Sequence, residues 1–64
     1  MVEGIVKWFN NDKGYGFIEH NNQDYFVYYS DIEIKGFKTL NPNQNVTFEP
    51  QKTPKGLVAK KVCV

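Results

Sequence analysis

Sixty-four residues carrying a formal charge of +1 make a single domain, and a chain this short buries only about 60% of its unfolded surface on folding, so its core is thin. One cysteine and one histidine exclude a disulfide framework within a monomer and a structural zinc site, so no metal or cofactor is expected and the fold must stand on apolar burial and hydrogen bonding. No run approaches the ~20 apolar residues of a membrane span and no apolar stretch follows the N-terminus as in a signal peptide, which predicts a cytoplasmic protein without membrane attachment.

Taken in chain order, the sequence reads as all-β. Short β-branched and aromatic runs alternate with Asn, Asp, Gly and Pro clusters, and no window shows apolar residues at helical spacing. A first strand is predicted from Val2 to Asn10, with Asn10-Asn11-Asp12-Lys13-Gly14 as its turn. A second runs from Tyr15 to His20 and ends at a polar turn, Asn21-Asn22-Gln23-Asp24. The third covers Tyr25 to Tyr29. A long connection from Ser30 to Asn43 follows, irregular at Gly36 and Pro42, with one helical turn expected around Ser30-Asp31-Ile32. Strand four is predicted from Gln44 to Glu49, closed by Pro50, which cannot donate to a ladder. Pro54-Lys55-Gly56 is a turn, and Leu57 to Val64 forms the last strand. Five short strands without a helical crossover suggest a meander and a return across it, closed into a barrel that removes exposed edges.

The chemistry is concentrated in rings. Ten of the residues are Phe, Tyr or Trp, more than a core this small can use, so several must be exposed as a binding surface. Lys7 to Phe17 holds Trp8, Phe9, Tyr15 and Phe17 between Lys7 and Lys13, and Tyr25 to Tyr29 adds Tyr25, Phe26, Tyr28 and Tyr29. Strand residues alternate faces. With Ile18 and Val27 as core, Tyr15, Phe17, Phe26 and Tyr28 point outward together, at cross-strand spacings of about 5 Å. The opposite sorting, rings inside and aliphatics outside, would overfill a small barrel. Strand one resists this treatment, because parity allows either Trp8 or Phe9 to be internal and a bend or bulge could re-aim one of them. Exposed rings with flanking lysines and no arginine fit a sequence-tolerant platform for single-stranded nucleic acid, since bases stack on aromatic faces and point charges track the backbone.

Lys7-Trp8-Phe9-Asn10, Lys13-Gly14-Tyr15-Gly16-Phe17-Ile18, Phe26-Val27 and Gly36-Phe37-Lys38-Thr39-Leu40 resemble the bacterial cold-shock protein family over essentially the whole chain. Lys13 to Ile18 looks like a first ribonucleoprotein motif and Tyr25 to Tyr29 like a second. The resemblance implies a five-stranded antiparallel OB-fold barrel that binds single-stranded RNA and DNA and acts in the cytoplasm as an RNA chaperone or modulator of transcription and translation, linked to cold adaptation. It implies a stacking platform of Trp8, Tyr15, Phe17, Phe26, Tyr28, Tyr29 and Phe37, with Phe9 at its margin. By the same resemblance Lys7, Lys13 and Lys55 meet phosphate, while Asn10 and Asp24 hydrogen-bond bases. A monomer is expected. The chain departs from the family at Tyr28, where histidine is usual, at Tyr29 for phenylalanine, at Tyr25 for an aliphatic core residue, in a turn about one residue shorter before Tyr25, and at Lys60-Lys61. Tyr28 can stack but cannot become cationic near neutrality as histidine does, so weak pH dependence of binding is expected.

Other motifs carry little. Gly14-Tyr15-Gly16 lacks the third glycine and the helix of a dinucleotide fingerprint. His20 reads as a solvated turn residue, Cys63 as a half-buried small apolar residue, and Asp31 with Glu33 as a solvated loop face. Lys60-Lys61 either extends the basic surface or solubilises the last strand. No catalytic constellation appears, and no enzyme is expected. An RRM shares the Lys-Gly-Tyr-Gly-Phe signature but needs two packing helices that this chain lacks. The alternative from another class is an SH3-like small barrel gripping a proline-rich peptide.

Overall fold

The computed structural model describes residues 1–33 and 39–64. Phe37, and the Gly36 and Lys38 beside it, lie outside the described residues. Five strands, β1 (Val2–Asn10), β2 (Tyr15–His20), β3 (Gln23–Tyr28), β4 (Asn45–Thr53) and β5 (Gly56–Cys63), close into a barrel in the order β1-β2-β3-β5-β4, with a short 3₁₀ turn at Tyr29–Asp31. Four of the contacts between neighbouring strands are antiparallel, while β3 and β5 run parallel through Phe26 and Val58. Closure requires this. Each antiparallel neighbour reverses chain direction, so a ring of five cannot be antiparallel throughout.

The core is the inward face of each strand. Val6, Ile18, Val27, Val46, Phe48, Ala59 and Val62 are buried together with Tyr25, Ile32 and Leu40. Among the described residues Phe48 is the largest side chain fully removed from water. Ile18 and Val27 are therefore core residues, as alternation predicts, and the aromatic-core sorting fails.

Several boundaries differ from the sequence reading: β3 ends at Tyr28, with Tyr29 opening the 3₁₀ turn, β4 starts at Asn45, and three further differences follow. The turn after β2 is only Asn21-Asn22, both at positive φ (51° and 62°), because two asparagines tolerate the left-handed region that a tight hairpin demands. Gln23 and Asp24 consequently belong to β3, opposite His20 and Glu19. The second difference is at Pro50, which lies within β4 and faces Ala59 across the β4–β5 pair. β1 accompanies β4 only as far as Phe48, so Pro50 stands where one side of the strand has no β1 partner and a missing N–H is tolerated. The third is β5, which starts at Gly56 and ends at Cys63.

His20 is also placed differently from expectation. It ends β2 half-buried, its Nδ1 donates to the Glu3 carbonyl at 2.7 Å, and its ring packs near Tyr25 and Phe48. A carbonyl only accepts, so the proton sits on Nδ1. Tyr25 fills its aliphatic-type core position by burying the ring and sending its hydroxyl to Gln23 Oε1 at 3.4 Å. Lys60 and Lys61 pair with Asp31 (3.3 Å) and Glu49 (3.7 Å). Cys63 is half-buried.

Candidate nucleic-acid interface

The platform is built where β1, β2 and β3 run side by side. The β1–β2 register shifts between Val6 and Trp8, so that Val6 faces Ile18 while Trp8 faces Phe17. Lys7 is thus the extra residue of a β-bulge, and the bulge resets the alternation. Val6 points in, Trp8 points out at 43% exposure, and Phe9 turns inward to pack against the core. The ambiguity that parity leaves between Trp8 and Phe9 is resolved by this single residue.

Gly16 makes the inward turn of Phe9 possible. It stands opposite Phe9, and a Cβ there would lie 2.2 Å from the Trp8 carbonyl oxygen and 2.8 Å from Phe9 Cα. Gly14, at φ +75°, turns the chain back into β2 and leaves room for the Tyr29 ring, which a Cβ would approach to 2.8 Å. Asn10 holds the same turn: its carboxamide oxygen accepts the N–H groups of Asp12 (2.9 Å) and Lys13 (3.0 Å). That oxygen is committed to the turn. The Thr39 hydroxyl donates to Asn11, tying the long connection to the turn's outer side.

On the outward face five rings form one contiguous patch. Trp8 lies 5.6 Å from Tyr15 and 5.5 Å from Phe17, centroid to centroid. Phe26 lies 5.4 Å from both Tyr15 and Phe17 and 4.7 Å from Tyr28. Four of these five contacts are edge-to-face, at 60° to 83°, and Tyr15 with Phe26 is stacked at 27°. Edge-to-face packing is favourable for the rings themselves and fixes their orientation. Tyr28 is 51% exposed, while Tyr15, Phe17 and Phe26 are half-buried. Tyr29 is exposed at the upper margin over Gly14, and its N–H donates to the Gly14 carbonyl at 2.8 Å.

Beside the patch runs a groove of about 520 Å³ lined by Phe17, Asp24, Phe26 and Tyr28 on one wall and by Thr53, Lys55, Leu57 and Val58 on the other. The second wall is the β4–β5 hairpin, brought there by the parallel contact of β3 with β5. Thr53 Oγ1 braces the hairpin turn, donating to the Gly56 carbonyl and accepting the Lys55 N–H, which leaves the Lys55 side chain at the groove. Thr53, Leu57 and Val58 are groove residues that the sequence reading does not contain, because nothing local to them announces that they lie against β3. Lys7 reaches across β2 to Asp24, its Nζ 3.1 and 3.4 Å from the two carboxylate oxygens. Lys13 is exposed in the turn above Tyr15.

A larger depression, about 610 Å³, opens at the other end of the β1–β2 ribbon. It is lined by Glu3, Glu19, Asn21 and Asn22 among others. Its two carboxylates and lack of lysine make it a poor surface for a polyanion. Among the described residues no cluster of His, Cys, Asp and Glu could hold a metal ion, and no helix is long and apolar enough to cross a membrane.

Comparison with known proteins agrees with this geometry. The family model described as the 'Cold-shock' DNA-binding domain matches residues 2–64. The chain is 55% identical to the major cold shock protein of Micrococcus luteus, over 97% of this chain and 96% of the relative. It is 52% identical to the cold shock-like protein CspA of Shewanella violacea, covering 92% and 87% of the two chains, and 52% identical to a cold shock-like protein of Aquifex aeolicus, covering 95% and 90%. With its five-stranded barrel and its full-length match, the chain belongs to the cold-shock domain family of nucleic-acid-binding proteins.

Proposed function

We propose that this protein binds single-stranded RNA and DNA with low sequence preference, bases stacking on Trp8, Tyr15, Phe17, Phe26 and Tyr28 while lysines meet the phosphates. The observation that carries this reading is the contiguous five-ring patch on the outer face of β1–β3. A soluble domain gains nothing in stability by leaving Trp8 and Tyr28 about half in water, whereas each base laid on such a ring contributes about 1–3 kcal/mol. Tyr29 and Phe37 extend the stacking surface in this proposal, Phe9 supports it from beneath, and Lys7, Lys13 and Lys55 supply the charge. In this proposal Asp24 and the Asn10 amide hydrogen-bond base edges. The protein acts as a monomer in the cytoplasm, where transient stacking opens RNA structure, the role of an RNA chaperone or a modulator of transcription and translation. No enzymatic step is part of this function.

The test is a titration followed by Trp8 fluorescence, the protein having one tryptophan. Oligothymidine should quench it, whereas duplex DNA and a proline-rich peptide should not. Phe17→Ala and Phe26→Ala should each weaken oligothymidine binding by about 1–3 kcal/mol with the fold retained. Quenching by the peptide alone would replace this reading with the SH3-like one. Unfolding of either variant would show that the rings serve the core.

A further inference from the structure

The ring patch consists of two cross-strand rows that differ in chemistry. In the lower row Trp8 stands opposite Phe17 and Phe17 opposite Phe26, and none of these side chains carries a hydroxyl. In the upper row Asn10 stands opposite Tyr15 and Tyr15 opposite Tyr28, so two phenols are neighbours there. Stacking needs only the ring, and a phenylalanine would supply it at either position. Nor does the protein use these hydroxyls internally. Tyr25 commits its own to Gln23, whereas among the described residues no group bonds to the hydroxyl of Tyr15 or Tyr28. Both rings pack on Phe26, Tyr15 stacked at 5.4 Å and Tyr28 edge-to-face at 4.7 Å. Their hydroxyls are therefore held in place at the margin of the surface offered to bases.

We propose that Tyr28, with Tyr15 beside it, is a specificity-determining residue that favours RNA over DNA: the phenol hydroxyls hydrogen-bond the ribose 2′-OH of a strand stacked on the rings. This inference rests on the stacking function proposed above. In that mode the rings take bases of any identity and the lysines take phosphates, which leaves the sugar without a partner. A phenol hydroxyl sits at the tip of its ring, beyond the face that a base covers, and a stacked base is bordered on one edge by its sugar. A phenol and a 2′-OH each donate and accept, so they match in either direction. Deoxyribose offers no such partner. Hydroxyls engaged with base edges would impose a base preference, whereas the 2′-OH is common to every ribonucleotide and leaves sequence tolerance intact.

The experiment follows Trp8 quenching by oligouridine and oligodeoxyuridine of equal length at one salt concentration. Base and phosphate are the same in both strands, so the change in the ratio of their affinities on substitution isolates a contact to the 2′-OH. Tyr28→Phe, and the double variant carrying Tyr15→Phe as well, keep every ring and remove only hydroxyls. Tyr25→Phe, which removes a hydroxyl already engaged with Gln23, is the control. The ribose-to-deoxyribose ratio should fall about two- to tenfold in the double variant, the weight of one hydrogen bond, and part of the way in Tyr28→Phe. The loss should fall mainly on the ribose strand, and Tyr25→Phe should leave the ratio unchanged. The inference is overturned if the double variant weakens both strands by one factor, as hydroxyls bound to phosphates or bases would, or if Tyr25→Phe lowers the ratio as much. Binding of both strands with a ratio that no variant alters defeats this inference alone. Absence of quenching by either strand in the unaltered protein defeats the proposed function and this inference with it.

Discussion

Gly16 is the residue on which the platform depends most directly. It is not in the left-handed region, and its requirement is purely one of space: the β1 backbone at Trp8 and Phe9 crosses within van der Waals contact of its Cα hydrogens. A Cβ placed 2.2 Å from a carbonyl oxygen cannot be accommodated by a rotamer change, since its neighbour is backbone. β1 must move away from β2 at the bulge that aims Trp8. Gly16→Ala is therefore expected to destabilise the fold by at least about 1–3 kcal/mol, the usual cost of overpacking. Thermal unfolding measures this, and an unchanged midpoint would show that the strands separate there without cost. The adjacent outward residue behaves differently. Phe17 touches Trp8 and Phe26 through ring edges alone, contacts of about 0.5–1.5 kcal/mol, so losing its ring affects binding more than folding.

At the level of the strand, the bulge at Lys7 decides which large ring of β1 faces a ligand, and it is also where sequence reasoning stops. Alternation alone sorts β2 and β3, since Ile18 and Val27 demand burial and send Tyr15, Phe17, Phe26 and Tyr28 outward, as the structure has them. In β1 the same rule is interrupted by one residue, and a bulge without a glycine at its site leaves no compositional mark. Apart from Lys55, the far wall of the groove is equally illegible, for a different reason. Thr53, Leu57 and Val58 reach β3 only through closure of the barrel, a long-range event no local pattern encodes. The Asn21-Asn22 hairpin and the passage of β4 through Pro50 lie between these cases: their residues permit those conformations without dictating them. The strand-level assignment is testable by contrast. Phe9→Ala, which removes a ring packed against the core, should lower stability by about 2–4 kcal/mol, somewhat below the cost for a fully buried phenylalanine. Trp8→Ala should leave the unfolding midpoint nearly unchanged and weaken single-strand binding by about 1–3 kcal/mol. The reverse pattern, with Trp8 needed for folding and Phe9 for binding, would mean that the bulge lies elsewhere in β1.

For the whole molecule, the distribution of charge determines how binding responds to salt. Eight cations face seven carboxylates, and Lys7, Lys60 and Lys61 are paired with Asp24, Asp31 and Glu49. Lys60 and Lys61 lie on β5 within their own ion pairs. Among the described residues, the lysines beside the rings are Lys7, Lys13 and Lys55. In the proposed mode of binding, attraction to a phosphate chain comes from a few point charges and the larger share of the binding free energy from stacking, which salt hardly screens. Each phosphate neutralised on a single strand contributes about −0.7 to the slope of log K against log salt. Two or three lysines therefore predict a slope of roughly −1.4 to −2.1 for oligothymidine on the same basis, with appreciable binding surviving at salt concentrations that release a strongly basic protein. Titrations at several salt concentrations give the slope directly. A value twice as steep would show that lysines outside the platform take part, and that the bound strand follows a path longer than the five rings.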